Sequence, residues 1–316
     1  MLSRTERGSV WVLLHIAYFG LPLGALLLAR DGHSLDFCVL PPISAPGARR
    51  LGRICARVLD AERLGPHLEG AVEAELQKTR PDLLVSWFWT RRLPLGWLER
   101  ARLDAIGVHP SLLPRHRGRN PYYWAIDSGD LETGVTVHRL SAEYDQGAIL
   151  DQEHLTLGDK NAWQLARALD RPSLRALRRT VTAYAAHTPP KAIAQDETGA
   201  TSAPEPSGDL LHVDFRWPTE RVLRRIRALS PVPGVPLSLW GLDFFVTAAA
   251  PSDAYTRALL PGEAELSAER LLLRTLDGAI TVERATLAET EGTEPSEPTS
   301  GQELATLLKS FQPRLE

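Results

Sequence analysis

Short apolar runs alternate with a helical pattern through the first half of the chain. The runs have the length and the β-branched and aromatic content of buried strands, and they lie at residues 10–15, 35–40, 82–88, 105–109 and 134–140. Residues 65–79, between the second and third runs, have apolar side chains at helical spacing. Strands separated by helices predict βαβ units and a mainly parallel sheet.

The apolar segment Val10–Ala29 allows two interpretations. It is twenty residues long and follows Arg4 and Arg7, as a membrane span or a signal sequence would. A histidine, two glycines and a proline interrupt it near the middle, however. These interruptions favour a strand at Val10–His15, a loop through Gly20 and then a helix, and hence no membrane span.

Residues 159–187 carry a helical pattern, and residues 188–207 carry none. Within the helical pattern Pro172 predicts a break and a restart, because proline removes a helical N–H donor. The following segment is rich in Pro, Gly, Ser and Thr, which is typical of a connection between domains. We therefore predict a domain over residues 1–187 and a linker over residues 188–207.

From residue 208 the pattern predicts a small β-rich domain. It begins with an amphipathic helix, "PTERVLRRIRAL", whose apolar side chains face inward and whose arginines face outward. Strand-like runs follow, and Asp277-Gly278 between two of them predicts a type I′ hairpin. An acidic stretch at 289–301 predicts a loop before a final short helix. The predicted fold class is an α/β, Rossmann-like, mainly parallel domain followed by a smaller β-rich, barrel-like domain over residues 208–316.

Composition excludes some classes of protein. The 316 residues suffice for two domains, and a net charge of −3 is not that of a strongly basic nucleic-acid binder. Cys38 and Cys55 match no metal or disulfide spacing, which favours a reducing compartment, the cytoplasm. No G-x-G-x-x-G follows the first strand and no P-loop is present, so a nicotinamide or flavin site is not indicated.

Two residues at predicted strand ends are candidates for acid–base chemistry. His109 ends a predicted strand, where open α/β sheets bind their ligands, and two prolines make the following loop rigid. Asp145 lies between two strand-like runs beside Gly147, a position that a plain turn also satisfies. Together they form a candidate general acid–base pair, with the carboxylate orienting the imidazole.

The stretch "GVHPSLLPRHRG", with "AIDSGDLETGVTVHRLSAEYDQGAIL" after it, resembles the core of the 10-formyltetrahydrofolate-dependent formyltransferases. Further along, "QDETGAT", "IRALSPVPG" and "PGEA" resemble the methionyl-tRNA formyltransferase branch. The resemblance is strongest over residues 81–155 and recurs in order through the second domain. It rests on a long ordered string of residues rather than on a short pattern.

The resemblance implies a chemistry. In the family, an amine attacks the formyl carbon on N10 of the folate, an Asn-x-His motif stabilises the oxyanion, and a distant Asp positions the His and assists proton transfer. His109 and Asp145 match that His and that Asp. The implied activity is formyl transfer from 10-formyltetrahydrofolate, a cosubstrate, to an amino group, without a metal ion.

The resemblance also implies which residues bind the folate. Ser111–Pro114 matches the segment that lines the folate site, and Ser86–Arg92 matches the loop that holds the pterin. Aromatic rings in that loop can pack on a flat ligand or within the fold. The residues expected to contact the folate are Ser86, Trp87, Phe88, Trp89, Thr90, Arg91, Ser111, Leu112, Leu113, Pro114, Thr136 and Asp145.

One position departs from the family pattern. When "GVH" is aligned on Asn-x-His, Gly107 stands where the family has asparagine, and glycine has no side-chain donor. Loss of one oxyanion donor typically costs about 10²–10³ in turnover. Three explanations stay open: Asn120 or a bound water replaces the amide, the acceptor is a better nucleophile, or the protein binds folate without transferring the formyl group.

Two kinds of acceptor are compatible with the sequence. The two-domain layout favours initiator methionyl-tRNA and thus a role in translation initiation. Residues 208–316, however, contain 11 Lys and Arg against 16 Asp and Glu, whereas phosphate-backbone binding usually needs a basic face. That balance, together with Gly107, favours a small amine such as an amino sugar or a biosynthetic intermediate. We rank the tRNA-type acceptor first, because the layout covers more residues.

Overall fold

The computed structural model describes residues 12–41, 45–252, 259–266, 269–288 and 297–311. Val10, Trp11 and most of the predicted loop at 289–301 lie outside these ranges. Two compact units can be distinguished. The first comprises the described residues up to Arg119 with Gly134–Leu155 and Leu169–Ser202, and the second comprises Asn120–Thr133, Thr156–Ala168 and the described residues from Ala203 on. Because each unit is discontinuous, the domain limits at 187 and 208 stay a prediction.

A seven-stranded sheet forms the framework of the first unit. Its strands are β1 His15–Gly20, β2 Ser34–Leu40, β3 Val58–Asp60, β4 Leu83–Trp87, β5 Asp104–His109, β6 Glu132–Arg139 and β7 Ile149–Thr156. They lie in the order β3-β2-β1-β4-β5-β6-β7, and β1 to β5 pair parallel while β6 pairs antiparallel with β5. The predicted mainly parallel, Rossmann-like sheet is therefore confirmed.

Helices follow the strands of this sheet. They are α1 Pro22–Arg30, α2 Ala48–Leu51, α3 Ala61–Leu64, α4 Leu68–Thr79 and α5 Leu95–Leu98. α4 is the helix predicted from the apolar spacing over residues 65–79. Its buried side chains Val72 and Leu76 belong to an apolar core with Phe19, Phe37 and Trp97. This core covers the sheet and fixes the strand ends on which the site is built.

The first strand lies further along the chain than predicted. The expected strand at Val10–His15 was wrong, because β1 occupies His15–Gly20, the stretch that we had assigned to a loop. Aromatic side chains explain the difference: Tyr18 and Phe19 are fully buried between β2 and β4, whereas Leu13 is 64% exposed. α1 then begins at Pro22 and has nine residues. No helix in the described part of the chain is long and apolar enough to cross a membrane.

Pro172 does not break the helical pattern. α7 runs from Ala162 to Ala185 as one helix with this proline inside it, so the predicted restart was wrong. Its neighbour Ser173 is fully buried, accepts a hydrogen bond from Trp87 Nε1 at 3.0 Å and donates one to Asp170 O at 2.8 Å. The free energy gained by burying the turns beside Pro172 outweighs the cost of the lost helical hydrogen bond. Helix propensity counts only that cost, so it wrongly predicts a break.

The second unit contains an antiparallel sheet, as predicted for the smaller domain. Its strands are β8 Val235–Leu239, β9 Leu242–Ser252, β10 Ala264–Leu266, β11 Leu271–Arg274, β12 Ala279–Leu287 and β13 Thr299–Ser300. Their order is β10-β11-β12-β9-β8, with β13 paired to β12. The unit also contains α6 Pro121–Ser128 and α8 Thr219–Ala228, and α9 Gly301–Phe311 is the predicted final helix.

The hairpin between β11 and β12 is real, but its predicted turn type was wrong. Neither Asp277 nor Gly278 has the positive φ that a type I′ turn requires. The Asp277 carboxylate instead accepts hydrogen bonds from the backbone N–H and the hydroxyl of Thr219, both at 2.8 Å. Asp277 therefore satisfies donors at the start of α8, a capping role that a local turn pattern does not reveal.

Helix α8 also differs from its prediction, because its arginines do not all face outward. The Arg225 side chain is 3% exposed, and its Nε lies 2.7 Å from Asp127 Oδ1 on α6. Arg221 donates to the same carboxylate at 2.8 Å. Arg225 Nη2 also donates to Asp127, and Nη1 donates to the carbonyls of residues 209, 210 and 212. An amphipathic pattern cannot reveal such a pair, since the carboxylate lies almost a hundred residues away.

Candidate active site

His109 lies at the carboxyl end of β5, and its imidazole has a neighbour at each ring nitrogen. Its Nε2 lies 2.8 Å from the carbonyl oxygen of His116, so the Nε2–H donates to that carbonyl. Its Nδ1 lies 3.5 Å from Oδ2 of Asp145. The structure thus brings together the two residues predicted as an acid–base pair, and the side chain of His109 is only 7% exposed.

Asp145 lies in the loop between β6 and β7 and is fixed in an uncommon backbone conformation. Its φ is +57°, a region that non-glycine residues occupy at a cost of about 1–3 kcal/mol. Two contacts hold it there: Oδ2 accepts from Gly118 N at 2.9 Å, and the Asp145 carbonyl accepts from Gln195 Nε2 at 2.7 Å. Strain that neighbouring groups maintain is a mark of functional sites.

A second histidine, His138 on β6, joins this pair. Its Nε2 lies 3.6 Å from Asp145 Oδ1, and its Nδ1 lies 2.8 Å from the carbonyl oxygen of Arg139. The side chain is 3% exposed. The sequence motif that contains His138 predicted no role for it. The antiparallel register, which pairs His138 with Gly107, would have revealed it, but the strand direction is not readable from the pattern.

The burial of His138 makes stability depend on pH. Burial lowers the pKa of His138 below its ordinary value of 6.5, while Asp145 raises it and His109 lowers it. Because the unfolded chain binds the proton more readily, this contribution to stability is present above pH 6.5 and is lost as the pH falls below that value. We expect the free energy of unfolding to fall less on acidification in His138→Gln than in the wild type. Urea denaturation over a pH series measures this, and equal falls would contradict it.

Gly107 lies opposite His138 in the β5–β6 register. Its φ is not positive, so the backbone conformation does not require glycine there. The surroundings are close, however: a Cβ at this position would lie 2.6 Å from Leu140 Cδ2 and 3.2 Å from His138 Nε2. The position at which the family has asparagine therefore faces the imidazole of His138.

The predicted folate segment Ser111–Pro114 is held by the hydroxyl of Thr136 on β6. This oxygen accepts from Leu113 N at 3.0 Å and from Gln152 Nε2 at 2.9 Å, and it donates to Ser111 O at 2.7 Å. Ser111 and Thr136 are completely buried and Leu113 is 3% exposed, while Leu112 and Pro114 are half-buried. One hydroxyl thus fixes the backbone of the whole segment.

We expect Thr136→Val to lower the free energy of unfolding by about 1–3 kcal/mol and to raise the KM for the folate, because the buried groups bonded to the hydroxyl lose their partner. Thr180→Val is the matched control. The Thr180 hydroxyl is buried without a hydrogen-bond partner in the described part of the chain, so this change is expected to be neutral or stabilising. Urea denaturation and steady-state kinetics measure both effects. Equal effects of the two substitutions would contradict the assignment.

The second predicted folate segment, residues 86–91, extends from the end of β4. Trp87 is 1% exposed and donates to Ser173 Oγ, so its ring packs within the fold and does not cover a ligand, contrary to that prediction. Ser86 is buried, Phe88 and Trp89 are half-buried, and Thr90 and Arg91 are exposed. Trp89 Nε1 is buried without a hydrogen-bond partner in the described residues, and such an orphaned donor suits a polar ligand atom.

Asn120, the predicted substitute donor, uses both polar atoms of its amide elsewhere. Its Oδ1 accepts from Tyr123 N at 3.2 Å and caps α6, and its Nδ2 donates to Glu205 Oε1 at 3.2 Å. The asparagine belongs to the second compact unit, whereas Gly107 and His109 belong to the first. Asn120 therefore caps α6, and its role as a substitute donor stays a prediction.

Residues 188–202 of the predicted linker belong to the first unit. Gln195 donates to the carbonyls of Asp145 and Gly147, both at 2.7 Å, and accepts from the Arg117 guanidinium at 2.8 Å. Thr201 Oγ1 accepts from His116 N at 2.8 Å. The segment therefore supports both Asp145 and the 115–118 loop. Its polar, non-periodic composition is typical of a linker. Composition does not show which carbonyls a side-chain amide will reach, so these contacts were not predicted.

In the second unit, a cavity of about 640 Å³ is lined by residues 209 and 212–217 together with Pro261 and Gly262. None of the predicted site residues lines it. Whether Ser86–Arg92 and Ser111–Pro114 line one common cleft stays a prediction.

Comparisons of sequence agree with the resemblance. A model of the formyl transferase family matches residues 44–177, and a model of the formyl transferase C-terminal domain matches residues 209–302. The methionyl-tRNA formyltransferase of Anaeromyxobacter dehalogenans (strain 2CP-1) is 32% identical over 270 residues, which cover 80% of this chain and 85% of that protein. That of Latilactobacillus sakei is 30% identical over 243 residues, covering 73% and 74%.

Comparisons of structure support the fold. HypX from Aquifex aeolicus, in complex with tetrahydrofolic acid, superposes with a TM-score of 0.66 at 21% identity, covering 94% of this chain and 47% of that one. The N-formyltransferase from Helicobacter canadensis, in complex with folinic acid and dTDP-3-aminofucose, has a TM-score of 0.65 at 16% identity, covering 84% and 98%. At these identities the likeness shows the fold alone.

Proposed function

This chain belongs to the formyl transferase family and is a formyltransferase, and on that premise we propose that it transfers the formyl group of 10-formyltetrahydrofolate to a primary amine. The observation that carries the proposal is the contact between His109 and Asp145 at the carboxyl end of β5. Both residues match the family's pattern, and neighbouring segments hold both side chains in place.

The folate supplies the formyl group: the bond from carbon to the amine forms, the bond to N10 breaks, and a proton passes from the amine to N10. The protonated imidazole of His109 stabilises the negative charge that develops on the formyl oxygen. Asp145 orients the imidazole and stabilises its protonated form across the 3.5 Å contact. Their burial strengthens this interaction, because few water molecules screen it.

Two segments of the chain are the candidates for holding the folate. The Ser111–Pro114 backbone, fixed by Thr136, is the first candidate for lining the folate site. The half-buried rings of Phe88 and Trp89 supply an apolar surface with one orphaned N–H donor, Trp89 Nε1, and the exposed Thr90 and Arg91 follow them. This combination suits a flat heterocycle with polar edges. Cys38 and Cys55 are free thiols, which supports a cytoplasmic location for the reaction.

For the acceptor we propose methionyl-tRNA first, because methionyl-tRNA formyltransferases that are 30% and 32% identical match 73% and 80% of the chain, and the role would then be in translation initiation. One observation favours a small amine instead. The basic stretch of α8 is largely used within the protein, since Arg221 and Arg225 bind Asp127 and Arg227 binds Glu220. Those arginines are therefore poorly suited to bind phosphates.

One assay separates the alternatives. Purified protein is incubated with 10-formyltetrahydrofolate and either methionyl-tRNA, a panel of nucleotide-linked amino sugars, or small aliphatic amines. Release of tetrahydrofolate is followed by absorbance, and the formylated product by mass spectrometry. We expect product with methionyl-tRNA. Product only with small amines would move the acceptor to that class, and folate binding without any product would overturn the proposed activity.

A further inference from the structure

The aspartate of the site is held through its backbone as well as through its carboxylate. Asp145 has a φ of +57°, a conformation that persists only where neighbouring groups maintain it. This inference rests on the roles proposed above for His109 and Asp145 in formyl transfer. We propose that Gln195 is a positioning residue for that reaction: its side-chain N–H groups fix the backbone at Asp145 and Gly147 and thereby keep the carboxylate within reach of His109.

Two short hydrogen bonds are the first support. Gln195 Nε2 donates to the carbonyl oxygens of Asp145 and Gly147, each at 2.7 Å. The side-chain amide thus uses both of its hydrogens on backbone carbonyls that lie two residues apart. Gly147 is confined from another side as well, since a Cβ at this position would collide with the carbonyl oxygen of Arg139 at the end of β6. The loop that carries Asp145 is therefore fixed both by β6 and by the Gln195 amide.

The orientation of this amide is determined by Arg117. Gln195 Oε1 accepts from Arg117 Nε at 3.0 Å and from Arg117 Nη2 at 2.8 Å. A guanidinium has only donors, so the amide oxygen has to face Arg117 and the amide nitrogen has to face the two carbonyls. The guanidinium is held in turn by an ion pair with Glu197 at 2.8 Å, and its side chain is 11% exposed. Gln195 therefore presents donors, and not an acceptor, to the backbone of the loop.

The segment that contains Gln195 is attached by its own backbone at two points. Ile193 exchanges both backbone hydrogen bonds with Ile149, the first residue of β7, at 2.7 and 2.9 Å. At the other end, the carbonyl of Thr201 accepts from Arg117 N at 2.8 Å. These attachments do not involve the side chain of Gln195. A replacement of that side chain therefore removes its donors while the segment stays bound to the rest of the unit.

The position of this backbone matters for the reaction because the contact that it supports is long. Asp145 Oδ2 lies 3.5 Å from His109 Nδ1, and the same oxygen accepts from Gly118 N at 2.9 Å. A small shift of the Asp145 backbone separates the carboxylate from the imidazole that it stabilises. A displacement of about 1 Å in an active site can cost about 10²-fold in rate. Gln195 thus acts on the reaction through Asp145, without a contact to the reacting atoms.

Two substitutions distinguish positioning of Asp145 from anchoring of Arg117. Gln195→Glu keeps the size of the side chain and an acceptor for Arg117, but it places an oxygen against the two carbonyls. Gln195→Met removes the donors and the acceptor together. We expect kcat to fall about 10- to 100-fold in both variants, at least as far in Gln195→Glu, with little change in the KM for the folate. A smaller loss in Gln195→Glu than in Gln195→Met, or a changed KM with an unchanged kcat, would overturn the proposal.

Gln164→Glu is the matched control. Gln164 is exposed at the start of α7, and there the oxygen makes the contact, since Oε1 accepts from Asn161 N at 3.0 Å. Glutamate fulfils the same role, so we expect the kcat of the wild type. Circular dichroism establishes that each variant is folded. A loss in Gln164→Glu equal to that in Gln195→Glu would show that a negative charge alone lowers kcat, and would overturn the proposal.

Hydrogen exchange measured by NMR on the wild type tests the contact without activity. The side-chain amide resonances of Gln195 and Gln164 are assigned by their absence from Gln195→Met and Gln164→Glu. We expect the Gln195 amide protons to exchange at least about 10-fold more slowly, because both are hydrogen-bonded. Equal exchange rates would overturn the proposal even in an active enzyme. If the wild type transfers no formyl group to any acceptor, the proposed function fails, and the exchange rates alone decide whether Gln195 holds the backbone of Asp145.

Discussion

Replacement of His109 by alanine is expected to lower kcat for formyl transfer by about 10²–10⁴, because the site then lacks the imidazole that stabilises the charge developing on the formyl oxygen. The KM for the folate should change little, since that interaction strengthens as charge develops in the reaction. Steady-state kinetics with a saturating acceptor measure both values. Asp145→Asn should have the same direction of effect, because an amide does not stabilise an imidazolium.

The matched control is His67→Ala, which removes an exposed histidine from the same compact unit. We expect its kcat to equal that of the wild type. A kcat for His109→Ala close to that of His67→Ala would remove His109 from the reaction. Circular dichroism and urea denaturation of both variants distinguish loss of chemistry from loss of fold.

Replacement of Asp127 by alanine is expected to lower the free energy of unfolding by about 3–5 kcal/mol. The side chains of Asp127 and Arg225 are 5% and 3% exposed, so the alanine variant leaves a buried guanidinium without its counter-ion. Arg221 loses the same partner. The effect should appear as a lower urea midpoint with an unchanged slope, measured by fluorescence or circular dichroism on the full chain.

Asp214→Ala is the control for this prediction. Asp214 also pairs with an arginine, Arg216 at 2.7 Å, but this pair is largely open to solvent. Exposed ion pairs contribute little, so its midpoint should stay within experimental error of the wild type. If the two aspartate variants unfold at the same urea concentration, the buried pair does not stabilise the contact between α6 and α8.

Patterns of apolar residues predicted most of the first sheet, because burial on both faces leaves a strong signal. β2, β4, β5 and β6 lie within one or two residues of their predicted positions. β1 was misplaced because Gly20 follows its aromatic residues, and the glycine indicated a loop over the whole stretch. β3 was missed because it has only three residues. β7 was indicated only as a strand-like run after Asp145 without bounds, because four consecutive polar residues interrupt its apolar pattern. The pattern predicted the mainly parallel direction of the strands but not the antiparallel pairing of β6 with β5, which depends on hydrogen-bond partners far apart in sequence.

The site was predictable in part. Its histidine and its aspartate carried the family's motif, and the structure brings them together. His138, Gln195 and Arg117 were missed because their roles depend on which carbonyl or carboxylate they reach after folding. Trp87 was predicted to contact the ligand, but its indole N–H donates to Ser173 on α7, a helix far away in sequence. Residues that contact one another across long sequence separations are the ones that a linear pattern does not reveal.

The hydrogen bonds of Gln195 also limit how the chain can be divided for separate expression. A fragment ended at residue 187, where the helical pattern stops, would lose the amide that holds the carbonyls of Asp145 and Gly147. It would also lose Thr201, the acceptor for His116 N. Such a fragment retains every strand of the first sheet but not the supports of its carboxylate. A fragment that keeps these supports of Asp145 and His116 therefore has to include Gln195 and Thr201.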